Sequence, residues 1–149
     1  MPDALDPRVL TRCVLFLVAL AALVVSHQLG DHVIQTDHQA GGKTEPGSAG
    51  LRAMLGHLLG YHATAAAILV GTVTLLELPV TVLGVAAGLT FSAVTHGVLD
   101  RRWPVRAILR AVGSGRFAEA TEPICGMYLA DQALHQGALF VSALLVATL

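Results

Sequence analysis

Four long apolar segments constrain the fold of this chain more than any other feature. They occupy about residues 9–33, 51–76, 80–99 and 124–149, and each has roughly the 20 residues that a helix needs to cross a bilayer. The chain has 149 residues, of which 54% are hydrophobic and 13% are charged, and this leaves too little polar surface for a soluble domain. The sequence therefore predicts an all-α integral membrane four-helix bundle, with residues 1–149 in a single transmembrane domain.

The basic residues are distributed unevenly among the connections. Seven of the nine fall in the loop between the first two spans or in the loop between the last two: Lys43, Arg52, Arg101, Arg102, Arg106, Arg110 and Arg116. The positive-inside rule then predicts that both larger loops are cytoplasmic and that both termini are outside. One lysine against eight arginines suggests a GC-rich bacterial genome, so we expect a multi-pass protein of the bacterial inner membrane.

The two larger loops differ in character. The segment 39–50, "QAGGKTEPGSAG", is rich in Gly, Pro and Ser, which predicts a flexible loop. Between spans three and four, Arg102, Arg106 and Arg110 repeat every four residues beside apolar side chains that include Trp103. This pattern favours a short interfacial amphipathic helix that contacts anionic lipid or phosphate. The alternative is a basic loop that only sets the topology.

Histidines and aspartates cluster at the predicted cytoplasmic ends of the spans. Two H-x-x-x-D motifs begin at His27 and His96, and a reversed motif, "DQALH", begins at Asp131. Residues four apart share one helix face, and imidazole with carboxylate is a ligand set for zinc, manganese or iron. We therefore predict a site for one or two divalent ions. Its predicted ligands are His27, Asp31, His62, His96, Asp100, Asp131 and His135.

The competing interpretation is that these side chains are only hydrated helix ends. This interpretation is enough to explain any single pair, since a histidine in a membrane helix is often just hydrogen-bonded to a neighbouring helix. Three pairs and His62 at one depth favour a functional site, because ionisable residues inside a membrane are costly. We expect His32 and His38 to be loop residues. His57 is ambiguous, because His62 lies five residues further along and faces elsewhere.

Four segments carry a resemblance to a known family. "HQLGDHVIQTDHQAGGK", "LLGYHATAAAIL", "THGVLD" and "LADQALH" resemble the small bacterial multi-pass membrane proteins grouped as domain of unknown function 3307. The family pattern has an aromatic residue and a tryptophan where this chain has His32 and His38. The resemblance implies a helical membrane domain, and the His/Asp pattern is similar to that of membrane-bound metal-dependent hydrolases. The matching positions are His27, Asp31, Gln35, Thr36, His62, His96, Asp100, Asp131, Gln132 and His135.

The leading functional prediction is a membrane-embedded, metal-dependent hydrolase of a lipid or amphipathic substrate. The ions would activate water and polarise an ester or phosphoryl group, with Asp31 or Asp131 as the general base. An anionic part of the substrate would be held at the mouth of the site. The predicted substrate-binding residues are Gln35, Arg101, Arg102 and Arg106.

Two other functions stay open at this point. A buried, neutral aspartic acid could protonate a polyene or epoxide, as in a membrane-bound cyclase of a natural-product pathway. The same residues could instead serve a transporter, an ion-binding subunit or a sensor. We predict no nucleic-acid partner, and a homo-oligomer is a further alternative.

Overall fold

The computed structural model describes residues 6–149, so the first five residues of the predicted domain lie outside the described part. The described residues form seven α-helices and one π-helical turn, and they contain no strand. The helices are α1 (Pro7–Leu29), α2 (Asp37–Gly42), α3 (Gly47–Leu75), α4 (Val82–Leu99), α5 (Trp103–Ala111), α6 (Gly115–Glu119) and α7 (Gly126–Thr148).

Four of these segments are long and apolar enough to cross a membrane, judged by length and composition. They are α1 with its π-helical continuation (28 residues), α3 (29), α4 (18) and α7 (23). Local chemistry explains where two of them start. The Asp6 carboxylate accepts a hydrogen bond from Arg8 N at 2.8 Å, and the Thr81 hydroxyl accepts one from Gly84 N at 2.8 Å. The all-α prediction and the four helices of spanning length are confirmed.

The long helices pack around an apolar core. The most extensive contact is between α4 and α7, and α1 lies against both α7 and α3. Small residues allow the close approach, since a Cβ added to Gly88 would stand 2.8 Å from the Ser142 carbonyl oxygen. The buried apolar cluster comprises Ala19, Ala22, Leu23, Tyr61, Ala65, Leu69, Val73, Leu139, Ala143 and Val146.

A π-helical turn, Gly30–Ile34, continues α1. Such turns widen a helix by one residue and often occur at functional sites. Here the turn carries Asp31. Its first residue must be small, because a Cβ added to Gly30 would lie 2.5 Å from a ring carbon of Tyr61.

The prediction of a flexible loop over 39–50 is wrong for most of that segment. Residues 39–42 belong to α2, which starts with a reciprocal cap, and residues 47–50 belong to α3. Thr36 Oγ1 accepts from Gln39 N at 3.3 Å, and Gln39 Oε1 accepts from Thr36 N at 3.0 Å. The cap fixes the start of α2, which packs against α3, and Lys43 beyond it is only 7% exposed.

The basic segment after α4 folds into the two short helices α5 and α6. Arg102 precedes α5 with a φ of 61°, a left-handed conformation that is uncommon for a residue other than glycine. Val105 anchors α5 by full burial, whereas Trp103 is 69% exposed. The predicted amphipathic helix is therefore present as α5, and its position at a membrane interface stays a prediction.

Candidate metal centre

The buried histidines and aspartates meet at one end of the bundle, called here the polar end, where α1 and α4 end and α3 and α7 begin. Five of them are at most 3% exposed: His27, His57, His96, Asp100 and His135. Burying so many ionisable groups is costly unless each has a partner. Their ring nitrogens and carboxylate oxygens face one another, which raises the question of what lies between them.

Four ligand atoms from three parts of the chain lie close together. Asp31 Oδ1 comes from the π-helical turn and His57 Nε2 from α3. His96 Nε2 and Asp100 Oδ2 come from the end of α4. Five of the six separations among these atoms lie between 2.8 and 3.4 Å. A tetrahedral ion with bonds of about 2.0–2.1 Å places its ligand atoms about 3.3 Å apart, so these five separations are compatible with such an ion. His57, His96 and Asp100 form one group that could hold it.

The hydrogen bonding of these atoms supports the same interpretation. Asp31 Oδ1 and Asp100 Oδ2 are buried and accept no hydrogen bond. The Nε2 atoms of His57 and His96 lie 2.8 Å apart, and at most one proton can occupy the space between them. Unpartnered carboxylate oxygens beside facing imidazole nitrogens are what a cation would complete.

Asp100 is the central acid of the cluster. Burial by itself raises the pKa of its carboxyl, but the imidazoles of His57 and His96 and the ammonium of Lys43 hold that pKa below its ordinary value. Lys43 Nζ lies 2.8 Å from Asp100 Oδ1. The carboxylate is therefore ionised, with one oxygen toward the four-atom set and the other toward Lys43.

A second group of ligand-type residues lies on the α7 side of Asp100. Asp100, Asp131 and His135 each offer one atom within 4.8 Å of the others. His135 Nδ1 donates to the Asp131 carbonyl at 2.9 Å, which leaves Nε2 as an acceptor 3.9 Å from Asp100 Oδ1. Asp131 Oδ1 and His135 Nε2 are also buried without a hydrogen-bond partner. Three protein ligands leave a fourth position open, as catalytic zinc sites do.

Two of the predicted ligands use their nitrogens differently. His62 Nδ1 donates to the Leu58 carbonyl at 2.9 Å, and its Nε2 lies 3.3 Å from Ser92 Oγ. His62 therefore stands beside the ligand groups rather than in one.

His27 Nε2 donates to Gln132 Oε1 at 3.0 Å, and its Nδ1 lies 3.2 Å from the Tyr61 hydroxyl and 3.6 Å from Asp31 Oδ2. His27 is still within ligand reach, since His27, Asp31 and His96 each offer one atom within 4.8 Å of the others.

A polar cavity of about 250 Å³ opens on this cluster. A second cavity of about 310 Å³ adjoins it and shares Arg102, Tyr128 and Asp131 as walls. Of the predicted substrate-binding residues, Gln35 and Arg102 line the first cavity and Arg106 lines the second, whereas Arg101 lines neither. The charged and amide side chains around the first cavity are Asp31, Gln35, Lys43, Asp100, Arg102, Asp131 and Gln132.

Sequence reasoning missed two residues of the site. His57 was ambiguous because it does not share a helix face with His62, yet His57 is the member of that pair that meets His96 and Asp100. Its four-residue spacing to Tyr61, which is buried among the same histidines, was the available signal. Lys43 carried no signal, since its segment has the composition of a loop.

Comparison of the chain with family models, curated proteins and solved structures gives no match. The resemblance drawn from the four short motifs therefore stays a prediction, and the geometry of the polar end is the basis for assigning a function.

Proposed function

We propose that the protein is a membrane-embedded, metal-dependent hydrolase of a lipid or amphipathic substrate, in a bacterial inner membrane with its polar end toward the cytoplasm. The observation that carries the proposal is that the ring nitrogens of His57 and His96 lie 3.2–3.4 Å from carboxylate oxygens of Asp31 and Asp100, beside a polar cavity. Zinc fits the separations and ligand types, and manganese or iron fits the ligand types.

The two ligand groups suggest different roles. The four-atom set already offers four protein ligands, as structural zinc sites do, so it suits an ion with a structural role. Asp100, Asp131 and His135 are suited to the reaction, since three protein ligands leave a position for water and Asp131 lines both cavities. An ion held by these three would acidify a bound water and polarise the bond to be broken.

The chain itself supplies the remaining parts of a hydrolytic site. Asp131 is the better general base, because it lines both cavities and, as a ligand through one carboxylate oxygen, keeps the other oxygen for the proton. Asp31 is the less suitable base, because its own Oδ1 faces two ring nitrogens of the four-atom set. Lys43 and Arg102 present positive charge to the cavity beside Asp131, where an anionic part of the substrate would lie.

The other two functions have less support. A cyclase acting on a polyene needs an apolar cavity around its acid, whereas the cavity beside Asp131 is lined mainly by polar and charged side chains. A transporter needs polar groups along its path. Below the polar layer, the described helices instead bury an apolar cluster that includes Leu69, Val73 and Leu139.

The metal content of purified protein tests the proposal, with two histidines of α3 as a matched pair. We expect at least one divalent ion per chain, and His57→Ala should lower the affinity by at least about 10- to 100-fold. His62→Ala removes the same type of side chain from the same helix and should retain the ion. Hydrolysis of amphipathic esters should stop when the metal is stripped and resume when it is restored.

Two results would contradict the proposal. One is unchanged metal stoichiometry in both His57→Ala and Asp100→Ala, measured on folded protein. The other is ester hydrolysis that is indifferent to stripping of the metal. Equal losses in His57→Ala and His62→Ala would show that the ligand set is not the one described.

A further inference from the structure

The first polar cavity combines opposite charges in a way that the proposed hydrolysis does not by itself explain. Asp31, Asp100 and Asp131 supply three carboxylates on the side of the ligand groups. Lys43 and Arg102 supply two cations on the same lining. Lys43 contacts Asp100, whereas no ion pair is found for Arg102 among the described residues. The guanidinium of Arg102 is therefore free to bind a ligand.

An amide donor also lacks a partner in this cavity. Gln35 Nε2 is shielded from solvent and makes no hydrogen bond, and Gln35 lines the cavity with Arg102. An unsatisfied buried donor costs free energy unless a ligand or water accepts from it. Arg102, Lys43 and Gln35 are all donors, so the ligand that completes them carries several acceptor oxygens.

A bound metal ion decides the sign of the net charge in the first cavity. Without an ion, three carboxylates outnumber two cations, and the cavity repels anions. One divalent ion changes the balance of these groups to a net charge of plus one, and a second ion changes it to plus three. The cavity should therefore take an anion only when metal is bound.

The size of the cavity limits the ligand further. About 250 Å³ is less than the roughly 300–1,000 Å³ that drug-sized ligands occupy. The cavity thus suits a headgroup rather than a whole amphiphile. Beyond Arg102, Tyr128 and Asp131 lies the second cavity, whose walls include the charged Arg106 as well as Ala118 and Met127. The adjoining part of the molecule would lie there.

We propose that the first cavity binds the phosphate group of a phosphate monoester, and that this monoester is the substrate of the hydrolytic site. A phosphate presents more acceptor oxygens than a carboxylate, so it can engage Arg102, Lys43 and Gln35 together with a metal ion. This inference rests on the proposed function for the reaction but not for the binding.

The reaction balances without any further reactant. The oxygen of a water molecule forms a bond to phosphorus, and the bond from phosphorus to the ester oxygen breaks. The carboxylate of Asp131 accepts a proton from the water and then passes that proton to the departing ester oxygen, which becomes an alcohol. The products are inorganic phosphate and that alcohol.

Binding measurements on the full chain in zwitterionic nanodiscs test the inference. The probes are inorganic phosphate, a short-chain diacylglycerol phosphate, and the uncharged diacylglycerol of the same chain length. We expect both phosphate probes to bind the metal-loaded protein and to bind at least about 10-fold more weakly after the metal is stripped. The uncharged diacylglycerol should not compete with them.

Variants connect the binding to the cavity. Arg102→Gln and Gln35→Ala should each weaken phosphate binding by about 10-fold or more, since each removes a donor to a charged group. Arg110→Gln removes the same charge from the far end of α5, where the residue lines neither cavity, and should bind phosphate as the unchanged chain does. Metal content should stay constant in all three variants.

The outcomes separate this inference from the proposed function. Tighter binding of the lipid phosphate than of inorganic phosphate assigns a lipid substrate, whereas equal binding assigns a soluble phosphate ester. Phosphate binding that is unaffected by both Arg102→Gln and Gln35→Ala overturns the inference. If the protein holds metal and hydrolyses uncharged esters but does not bind phosphate, the proposed function stands and the phosphate assignment fails. If the purified protein holds no metal, the proposed function itself is contradicted.

Discussion

Replacing Gly30 with alanine should damage the candidate metal centre without touching any ligand. The added Cβ would lie 2.5 Å from Cδ2 of Tyr61, and ordinary contacts begin at 3.4 Å, so the ring has to move by about 0.9 Å. Tyr61 is only 1% exposed. Its ring centroid is 4.1 Å from that of His96 and 4.7 Å from that of His62, so displacement of the ring disturbs these histidines.

The expected magnitude follows from this lack of space. Overpacking a filled interior costs about 1–3 kcal/mol. Gly60→Ala is the matched control, because its Cβ would meet Ile34 Cγ2 at 3.5 Å, an ordinary contact. Both variants gain about 1 kcal/mol of helix propensity, so their difference in unfolding free energy isolates the clash. We expect Gly30→Ala to be less stable than Gly60→Ala by about 1–3 kcal/mol.

The assay is chemical or thermal unfolding in one detergent, with metal content measured on the same preparations. Gly30→Ala should also bind metal more weakly than Gly60→Ala, since His96 contributes to the four-atom set. Adding Tyr61→Leu removes the ring, so the cost of Gly30→Ala should fall by about 0.5 kcal/mol or more in the double variant. Equal stability and equal metal content of the two alanine variants would refute the packing described between the π-helical turn and α3.

Two further predictions concern orientation and the buried lysine. Cysteines placed at the exposed positions Ser48 and Ser114, in a chain without its native cysteines, should be labelled only after the cells are permeabilised; ready labelling from outside would reverse the orientation. Lys43→Met leaves Asp100 Oδ1 without its 2.8 Å partner and should cost the metal-free protein about 3–5 kcal/mol. Zinc should then stabilise Lys43→Met more than the unchanged chain. Thermal unfolding with and without zinc measures both effects, and a cost no larger than that of Arg52→Met, at an exposed position, would contradict the account.

The elements themselves could be predicted because their causes are local. A run of apolar residues and a capping side chain act within one helix, so four helices of spanning length follow directly from composition and order. The same holds for pairing histidines and aspartates by their spacing of four residues. Spacing did not decide whether His57 or His62 enters the site. The two face different sides of α3, and the sequence does not say which side packs against α4.

The amino-acid sequence by itself determined that this chain folds into helices of membrane-spanning length and that its ligand-type side chains gather at one end of them. Only the tertiary structure decided which atoms meet. Asp31 reaches the site through a π-helical turn, His57 enters it in place of His62, and Lys43 pairs with Asp100 across 57 residues of chain. The physical reason is that helix formation depends on neighbours along the chain. A coordination geometry, in contrast, depends on how far and at what angle separate helices pack, and small residues such as Gly30 and Gly88 set that approach.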